Sequence, residues 1–189
     1  MRQGNLFVIS GPSGVGKGTL VARLLDRVAD AWLSVSATSR EPRSNDIPGV
    51  TYHFVSKREF QRMADNGELL EWAIYGDNGY GTPRKPVEEH LAQGYQVVLE
   101  IEVQGAFQIK EKIPQAHLVF IEPPSIEELE RRLRGRGTDT EEAIEKRLKT
   151  ALDELARKDD YDYCLVNDDL DEATEQLVSY VNELADKKR

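Results

Sequence analysis

The amino-acid sequence predicts an α/β fold: a doubly wound parallel sheet with a small mixed lobe and an arginine-rich helical lid. Three observations lead to this prediction. Short apolar runs alternate with segments of helical periodicity, which is typical of a parallel sheet covered on both faces. A Gly-rich turn separates the first run from the first helix. The stretch 40–83 interrupts the alternation with loop and hairpin signals.

Eight segments are predicted to be strands, because each is a short run of apolar or β-branched residues bounded by turn residues. In chain order they span 5–10, 33–39, 52–55, 69–75, 80–82, 96–101, 117–121 and 163–166. Between the fourth and fifth of these segments lies Asp77-Asn78-Gly79, which predicts a hairpin turn at these three residues.

Seven segments are predicted to be helices, since their apolar residues recur with a period near 3.6. They span 19–29, 56–66, 87–93, 105–112, 125–134, 140–155 and 170–185. Ser56, Ser125 and Thr140 have the position and chemistry of N-caps. The elements divide the chain into a core of residues 1–39, 84–124 and 157–189, a lobe over 40–83 and a lid over 125–156.

The charge balance limits the expected partners. The 189 residues include 25 Lys and Arg against 34 Asp and Glu, a net charge of −9. A general nucleic-acid binder needs a basic stripe, because neutralising phosphates supplies most non-specific affinity. We therefore expect no nucleic acid and no anionic membrane surface as partner. A small phosphorylated ligand, held by a few cations, stays compatible with this charge.

Other totals indicate a cytoplasmic protein. The single cysteine, Cys164, allows no intramolecular disulfide and fits a reducing compartment. It lies in an apolar strand pattern, which predicts an inert thiol in the core. The apolar runs are too short to span a bilayer, and the N-terminus lacks the features of a signal peptide. The scattered histidines His53, His90 and His117 do not have the spacing of a structural zinc site.

The strongest functional signal lies between the first strand and the first helix. It reads Gly11-Pro12-Ser13-Gly14-Val15-Gly16-Lys17-Gly18-Thr19, which contains the G-x-x-x-x-G-K core of a phosphate-binding loop, or P-loop. The glycines let backbone amides converge on a phosphate, the helix N-terminus adds partial positive charge, and Lys17 supplies a cation. The alternative is a glycine-rich turn without a binding function. It is less favoured, because the motif and its position between a strand and a helix both match a phosphate-binding loop.

One position of the loop departs from the usual pattern. Gly18 follows Lys17, where Ser or Thr usually offers a hydroxyl to Mg²⁺, and Thr19 is the nearest hydroxyl. Either Mg²⁺ is held mainly by nucleotide phosphates and water, or Thr19 takes part indirectly. Because Mg²⁺ readily keeps several waters, the first arrangement is compatible with the sequence.

Two further clusters are candidates for a second substrate site. Arg40 and Arg43, followed by Tyr52, could grip a monophosphate, although a solvated basic loop fits the same pattern equally well. A buried Glu71 would suit guanine, which presents two hydrogen-bond donors, and would reject adenine, which presents an acceptor. Taken alone, Glu71 is more simply interpreted as a charge on the solvent side of an edge strand.

A third cluster combines arginines with breaker glycines. Arg132 and Arg136 lie four residues apart at a predicted helix end, and Arg147 follows on the next helix. An arginine lid of this kind would neutralise transferring phosphates and exclude water. Arg131 and Arg134 are more simply interpreted as surface residues that pair with glutamates of the same helix.

Taken together, these motifs resemble the guanylate kinase family along essentially the whole chain. The matching segments are 11–17, 34–43, 52–55, 71–73, 80–82, 100–105, 136–138 and 166–169. The resemblance implies a doubly wound P-loop core with an NMP-binding lobe and a lid. It also implies ATP-dependent phosphorylation of GMP and dGMP by direct in-line phosphoryl transfer, with Mg²⁺ accompanying ATP, in purine nucleotide metabolism.

The resemblance also implies roles for individual residues. For ATP binding these are Gly11, Pro12, Ser13, Gly14, Val15, Gly16, Lys17, Gly18, Thr19, Arg132, Arg136 and Asn167. For GMP binding they are Ser36, Arg40, Arg43, Tyr52, Glu71, Tyr80, Thr82, Glu100 and Glu102. For catalysis they are Lys17, Arg40, Arg136 and Arg147. Glu102 stands where the family commonly has Asp, so its side chain is longer by one methylene.

Two other functions stay open at this point. Guanylate-kinase-like domains of scaffold proteins keep the fold, lack catalysis and bind phosphopeptides, but the intact Gly16-Lys17 pair counts against this interpretation. A kinase for another monophosphate, such as AMP or dTMP, is the second alternative. Glu71 together with Ser36 and Thr82 argues for guanine instead. The sequence does not indicate an oligomeric state.

Overall fold

The computed structural model describes residues 2–135, 137 and 140–187. Within them the strands are β1 (Asn5–Ser10), β2 (Ala31–Leu33), β3 (Ala37–Thr38), β4 (His53–Phe54), β5 (Leu69–Tyr75), β6 (Asn78–Pro83), β7 (Gln96–Glu100), β8 (His117–Glu122) and β9 (Tyr163–Val166). The helices are α1 (Lys17–Arg27), α2 (Lys57–Asp65), α3 (Arg84–Ala92), α4 (Val103–Lys112), α5 (Ile126–Gly135), α6 (Glu141–Leu155) and α7 (Leu170–Asp186).

The central sheet has five parallel strands in the order β2-β7-β1-β8-β9. Apolar side chains of β1 alternate between its two faces: Phe7 and Ile9 pack with α1 and α7, whereas Leu6 and Val8 pack with α3 and α4. The strands are therefore buried on both sides, as expected of a parallel sheet. The predicted doubly wound α/β fold is confirmed.

A smaller, mixed sheet of four strands has the order β4-β3-β6-β5. Strands β3 and β4 are parallel, while β3 with β6 and β5 with β6 are antiparallel. Helix α2 covers this sheet and inserts the buried ring of Phe60 edge-on to Trp72, with centroids 6.5 Å apart. The additional mixed sheet that the sequence predicts is thus present, and it begins at Ala37, before residue 40.

The single strand predicted over 33–39 is wrong, because the chain leaves one sheet for the other within it. The amide of Ser34 still donates to Val98 O in the central sheet, at 2.9 Å. Five residues later the amide of Ser39 donates to Gly79 O in the small sheet, at 3.0 Å. A continuous run of small and β-branched residues carries no signal of such a crossing, since both sheets satisfy the backbone equally well.

The hairpin turn also differs from the prediction. Tyr75 pairs with Asn78, so the two-residue loop is Gly76-Asp77 and not the three residues from Asp77 to Gly79. Gly76 has φ 60°. A glycine with positive φ at the first loop position is the requirement of a type II′ hairpin loop, which fits the twist of the flanking strands.

Helix α4 holds the small sheet against the core through backbone atoms of β5. The side-chain amide of Gln108 donates to Trp72 O at 3.0 Å and accepts from Trp72 N at 3.3 Å. Lys112 Nζ donates to Leu70 O at 2.7 Å. We call these three hydrogen bonds the α4–β5 clasp. It lies beside the register irregularity between Leu69 and Trp72, where β5 is not fully paired with β6.

The three predicted N-caps are confirmed. Ser56 Oγ accepts from Glu59 N at 3.1 Å, Ser125 Oγ from Glu128 N at 3.1 Å, and Thr140 Oγ1 from Ala143 N at 3.3 Å. Each bond satisfies one amide of a first helical turn that has no partner within the helix.

The core position predicted for Cys164 is wrong, because β9 is an edge strand. Leu165 is buried in the cluster under α7, whereas the alternating residues Cys164 and Val166 are exposed. Two of the histidines are packing residues: His90 stacks on Trp32 and His117 on Phe7. Over the described part of the chain, no helix combines the length and apolar character needed to cross a membrane.

The contact between the hairpin and α2 predicts a difference between two Gly→Ala substitutions. A Cβ on Gly79 would lie 2.3 Å from the ring of Phe60, whereas a Cβ on Gly135 at the end of α5 meets no atom within 4 Å. We expect Gly79→Ala to lower the free energy of unfolding by about 1–3 kcal/mol, as overpacking does. Gly135→Ala should leave it unchanged or raise it by up to about 1 kcal/mol, since Ala favours a helix.

Urea unfolding followed by circular dichroism measures both values. Equal effects of the two substitutions would contradict the packing of Phe60 against the hairpin.

Candidate active site

The Gly-rich loop follows β1 along a path that needs its glycines. Gly11, Gly14 and Gly16 have φ of 146°, 90° and 97°. A Cβ on Gly11 would lie 2.3 Å from Ile121 O, and one on Gly16 would lie 2.6 Å from Asn167 Nδ2. The loop ends at Lys17, where α1 begins. The geometry therefore directs a helix N-terminus and its unpaired amides into the loop, as an anion site requires.

Lys17 curls back over the loop. Its Nζ donates to Gly11 O at 2.5 Å and to Pro12 O at 3.2 Å. The charge of the ammonium group also reaches two carboxylates of the cleft, Glu100 and Glu154, where it opposes the rise in pKa that burial causes. The cation is thus held above the loop by backbone carbonyls that an incoming phosphate could replace.

Arg132 and Asn167 support the loop from outside. Asn167 is 5% exposed, and its Nδ2 donates to Val15 O at 2.8 Å. Arg132 Nη2 donates to Asn167 O at 3.0 Å, and its Nε donates to Glu128 Oε1 at 2.8 Å. Neither residue is among those that line the cavity in front of the loop, so both support the loop from behind.

A cavity of about 700 Å³ lies in front of the loop, and we call it the P-loop cavity. Of the nine residues from Gly11 to Thr19, seven line it; Pro12 and Val15 do not. The opposite wall comes from the end of β7, at Glu100, and from α6. The residues that α6 contributes are Lys146, Arg147, Thr150 and Glu154. Arg147 reaches the loop itself, because its Nη1 donates to Ser13 Oγ at 2.8 Å.

Glu154 is a candidate residue that the sequence reasoning missed. Its pKa is raised to about 7; burial is the main cause of the rise, the charge of Lys17 opposes it, and the charge of Glu102 adds to it. The spacing of Arg147, Thr150 and Glu154 places them on one face of α6. This polar stripe could have been found from the sequence, but it is hard to distinguish from an ordinary solvated helix face.

A second cavity, of about 480 Å³, adjoins the first, and we call it the Glu71 cavity. Seven of the nine residues expected to bind GMP line it: Ser36, Arg43, Tyr52, Glu71, Tyr80, Glu100 and Glu102. It also contains Tyr75, which the sequence reasoning did not select. The two cavities share a wall made of Glu100, Ile101, Glu102 and Arg147.

Glu71 is buried and not on the solvent side of its strand, so the simpler interpretation of this residue is wrong. It is 5% exposed, and Thr82 Oγ1 donates to its Oε1 at 2.7 Å. Burial raises the pKa of the carboxyl, while the bonds from Thr82 and the charge of Lys112 oppose this shift. Thr82 does not line the cavity; it lies behind Glu71 and orients it. A Cβ on Gly105 would come within 2.8 Å of Oε2, so α4 approaches the carboxylate closely.

Tyrosines form one wall of the Glu71 cavity. The ring of Tyr80 stands edge-on to Tyr52 and to Tyr75, with centroids 5.9 Å apart in both pairs. Burial is the main cause of the raised pKa of Tyr52. Tyr75 of β5 and Tyr80 of β6 therefore meet Tyr52 of the loop before β4, and all three tyrosines line the cavity.

Arg40 does not line either cavity. Its Nη1 forms an ion pair with Asp46 Oδ2 at 2.8 Å, and its guanidinium lies 5.4 Å from the ring centroid of Tyr52. Asp46 Oδ2 also accepts from Arg43 N at 2.6 Å. The hydrogen bond from Arg40 and that from Arg43 N lower the pKa of Asp46. The loop thus folds around one carboxylate, with Arg43 at the cavity and Arg40 beside it.

Glu100 and Gly18 are neighbours in the lining of the P-loop cavity. Glu100 is exposed to the cleft, but the surrounding protein removes part of its hydration. This desolvation raises the pKa of its carboxyl, and the charge of Lys17 opposes the rise. A Cβ on Gly18 would lie 3.7 Å from Glu100 Oε1, an ordinary contact. Among the described residues no group of three His, Cys, Asp or Glu side chains could hold a metal ion directly. Arg136, the remaining candidate, lies outside the described residues.

Comparisons with known proteins agree with this geometry. A model of the guanylate kinase family matches residues 3–184. The chain is 55% identical over 178 residues to a guanylate kinase of Synechococcus sp., covering 94% of this chain and 95% of that protein. It is 55% identical over 181 residues to one of Synechocystis sp., covering 96% and 95%. The crystal structure of guanylate kinase from Anaplasma phagocytophilum is similar with TM-score 0.81 and 34% identity, covering 99% of this chain and 89% of that one.

The environment of Glu154 predicts a pH-dependent loss of stability. Its pKa in the folded protein, about 7, exceeds its ordinary value of 4.5. The folded state therefore binds more protons between these values, and its stability falls as pH rises from 4.5 to about 7. We expect Glu154→Gln to remove this loss, giving a gain of about 1–2 kcal/mol above pH 7 after discounting for solvent screening.

Urea unfolding at several pH values measures this gain, which should vanish near pH 4. Glu145→Gln, on an exposed position of the same helix, is the matched control and should shift stability by less than about 0.5 kcal/mol. A pH-independent gain for Glu154→Gln would contradict the burial of this carboxyl.

Proposed function

The chain belongs to the guanylate kinase family, and on that premise we propose that its adjoining cavities bind ATP and GMP for direct transfer of the γ-phosphoryl group to GMP. One observation carries the assignment of sites: the P-loop cavity and the Glu71 cavity share a wall. A phosphoryl group can pass between two ligands only if their phosphates meet. The shared wall is where they would meet, and dGMP would fit the same cavity.

The P-loop cavity would hold the phosphates of ATP. Backbone amides of the loop would bind them, and Lys17 would exchange the carbonyls of Gly11 and Pro12 for phosphate oxygens. Asn167 would act on ATP through the loop, because its side chain binds the carbonyl of Val15. Arg132 would act through Asn167, because it binds the carbonyl of that residue. We therefore assign both residues to the support of the loop. A contact with the adenine base of ATP would be a secondary role.

The Glu71 cavity would recognise guanine. A carboxylate accepts hydrogen bonds through two oxygens, which matches the N1–H and N2 amino donors of guanine and mismatches the N1 acceptor of adenine. Thr82 holds one oxygen at 2.7 Å, so the carboxylate is oriented before the base arrives. Ser36 lies on the same cavity and would add a hydroxyl.

The loop around Asp46 would bind the phosphate of GMP. Arg43 lies at the cavity, and Tyr52 and Tyr80 supply hydroxyl groups. Arg40 would join them by giving up Asp46, because a phosphate dianion is a stronger partner for a guanidinium than one carboxylate. Asp46 thus keeps Arg40 in place until the substrate binds.

Arg147 would act at the transferring group, since it lines both cavities and touches Ser13 of the loop. The acceptor oxygen of GMP is already anionic, so transfer requires no general base, and catalysis consists of positioning and charge stabilisation. Arg136 would contribute from the lid. Closure of the lobe over 40–83 and the lid over 125–156 would exclude water, which otherwise competes as acceptor.

The donor set of the P-loop cavity fits Mg²⁺ that arrives bound to ATP. Its oxygen donors are Glu100, Glu102, Glu154 and the hydroxyl of Thr19. Such groups suit a hard cation that keeps its water, and the absence of a hydroxyl at Gly18 removes the usual direct ligand. Bound Mg²⁺ would neutralise phosphate charge; Glu100 and Glu102 would accept hydrogen bonds at the shared wall.

Removal of the Lys17 ammonium tests the assignment of the ATP site. We expect Lys17→Ala to lower kcat by about 10²–10³-fold while the protein stays folded, because one preorganised donor to the transferring charge is lost. Lys149→Ala, an exposed position on α6, is the control. A coupled assay with ATP and GMP, dGMP, AMP, UMP or dTMP measures ADP formation. Turnover with another monophosphate alone, or phosphopeptide binding without turnover, would overturn the assignment.

Glu71→Gln tests base recognition. The amide replaces one acceptor oxygen with a donor, which opposes the N2 amino group of guanine. We expect kcat/KM for GMP to fall by about 10–100-fold, the range of a lost hydrogen bond to a charged group. Glu111→Gln, exposed on α4, should change it less than about twofold. An unchanged kcat/KM for GMP in Glu71→Gln would contradict the proposed role of the carboxylate.

A further inference from the structure

The strand that carries Glu71 is irregular at this residue. Two residues of β5, Leu70 and Glu71, stand opposite one residue of β6, Thr82, between the flanking pairs of the two strands. This arrangement is a β-bulge, which re-aims a side chain and interrupts regular pairing. Pairing with β6 therefore fixes the backbone beside Glu71 less firmly than a continuous ladder would.

The other edge of β5 is held by a side chain of α4. β5 is the last strand in the order of the small sheet, so helix α4, and not another strand, lies along its outer edge. There Gln108 accepts a hydrogen bond from Trp72 N at 3.3 Å and donates one to Trp72 O at 3.0 Å. Bonds to both the amide and the carbonyl of one residue are what a neighbouring antiparallel strand provides. Gln108 thus takes the place of a strand directly after the bulge.

Helix α4 also packs directly on the Glu71 carboxylate. A Cβ on Gly105 would lie 2.8 Å from Oε2, and Thr82 Oγ1 donates to Oε1 at 2.7 Å. Gly105 and Gln108 are three residues apart, so they lie on the same face of α4. The space for Oε2 is therefore narrow, and the separation of β5 and α4, which Gln108 sets, determines where this oxygen lies.

We propose that Gln108 is a positioning residue for guanine recognition: by holding Trp72, it fixes the bulge and the Glu71 carboxylate beside it. This inference rests on the proposed function. Gln108 lines neither cavity, so it acts through β5 and not by contact with a nucleotide. β5 is described in full and does not line the P-loop cavity, so ATP binding should not depend on Gln108.

Gln108→Met tests this role, because Met has a similar length and helix preference but forms neither hydrogen bond. We expect KM for GMP to rise about three- to tenfold, which is the effect of about one net hydrogen bond. KM for ATP and kcat should change less than about twofold, since neither depends on the orientation of Glu71. The dissociation constant for GMP, measured by calorimetry without ATP, should rise by the same factor as KM.

Lys110→Met is the matched control on the same helix. Lys110 Nζ donates to Ala116 O and to Asp162 Oδ2, both at 2.8 Å, so it also binds a main-chain carbonyl, but away from β5. This variant should leave KM for GMP within about twofold. Urea unfolding of both variants shows whether they are folded. If Gln108→Met does not fold, Gln108→Asn, which withdraws the amide by one methylene, takes its place with the same expected result.

A double-mutant cycle shows whether Gln108 acts through Glu71. In the Glu71→Gln background the carboxylate is gone, so Gln108→Met should change kcat/KM for GMP less than about twofold, a non-additive result. Additive effects, equal effects on ATP and GMP, or an unchanged KM for GMP in the single variant would overturn the proposal. Absence of GMP turnover in the unsubstituted protein would instead refute the proposed function.

Discussion

The parallel pairing of β1 with β7 is the constraint on which the site depends. In this register Ile9 lies opposite Glu100, so both strands end at the same edge of the sheet. The Gly-rich loop leaves β1 at this edge, and the wall that the two cavities share leaves β7 there. A shift of one residue would turn every side chain of the strand to the opposite face and separate Lys17 from Glu100. Each face of β1 packs in its own buried cluster, so such a shift would disrupt the close packing on both faces.

Local charge, and not the net charge, describes what a ligand meets at this edge. The chain carries −9 overall, yet Lys17, Arg43 and Arg147 surround the two cavities. Glu71 and Glu100 stand among them in surroundings that raise their pKa values. Charges of both signs at close quarters keep the cations in place before substrates bind. In a low-dielectric cleft each of these charges acts more strongly than it would in water.

The sequence allowed most elements to be predicted, because their signals are local. Caps, the short apolar run of β1 and the motif that ends at Lys17 each depend on neighbours within a few residues. The features that could not be predicted depend on tertiary position. The crossing between sheets after Leu33 and the exposure of Cys164 are consequences of which strand lies beside which. The same holds for the places of Glu154 and Tyr75 in the cavity walls, since these walls form only when distant elements pack together.

The α4–β5 clasp has a consequence for how this protein can change over evolutionary time. Gln108 and Lys112 bind main-chain atoms of Trp72 and Leu70, and every residue type offers the same carbonyl, while all but proline offer the same amide. Trp72 and Ile74 direct exposed side chains outward from the same strand. Substitutions at Ile74, and at Trp72 where the new side chain still packs on Phe60, can therefore accumulate without breaking the clasp on either side of Glu71. The outer surface of the hairpin can then diversify while the position of Glu71 stays constant.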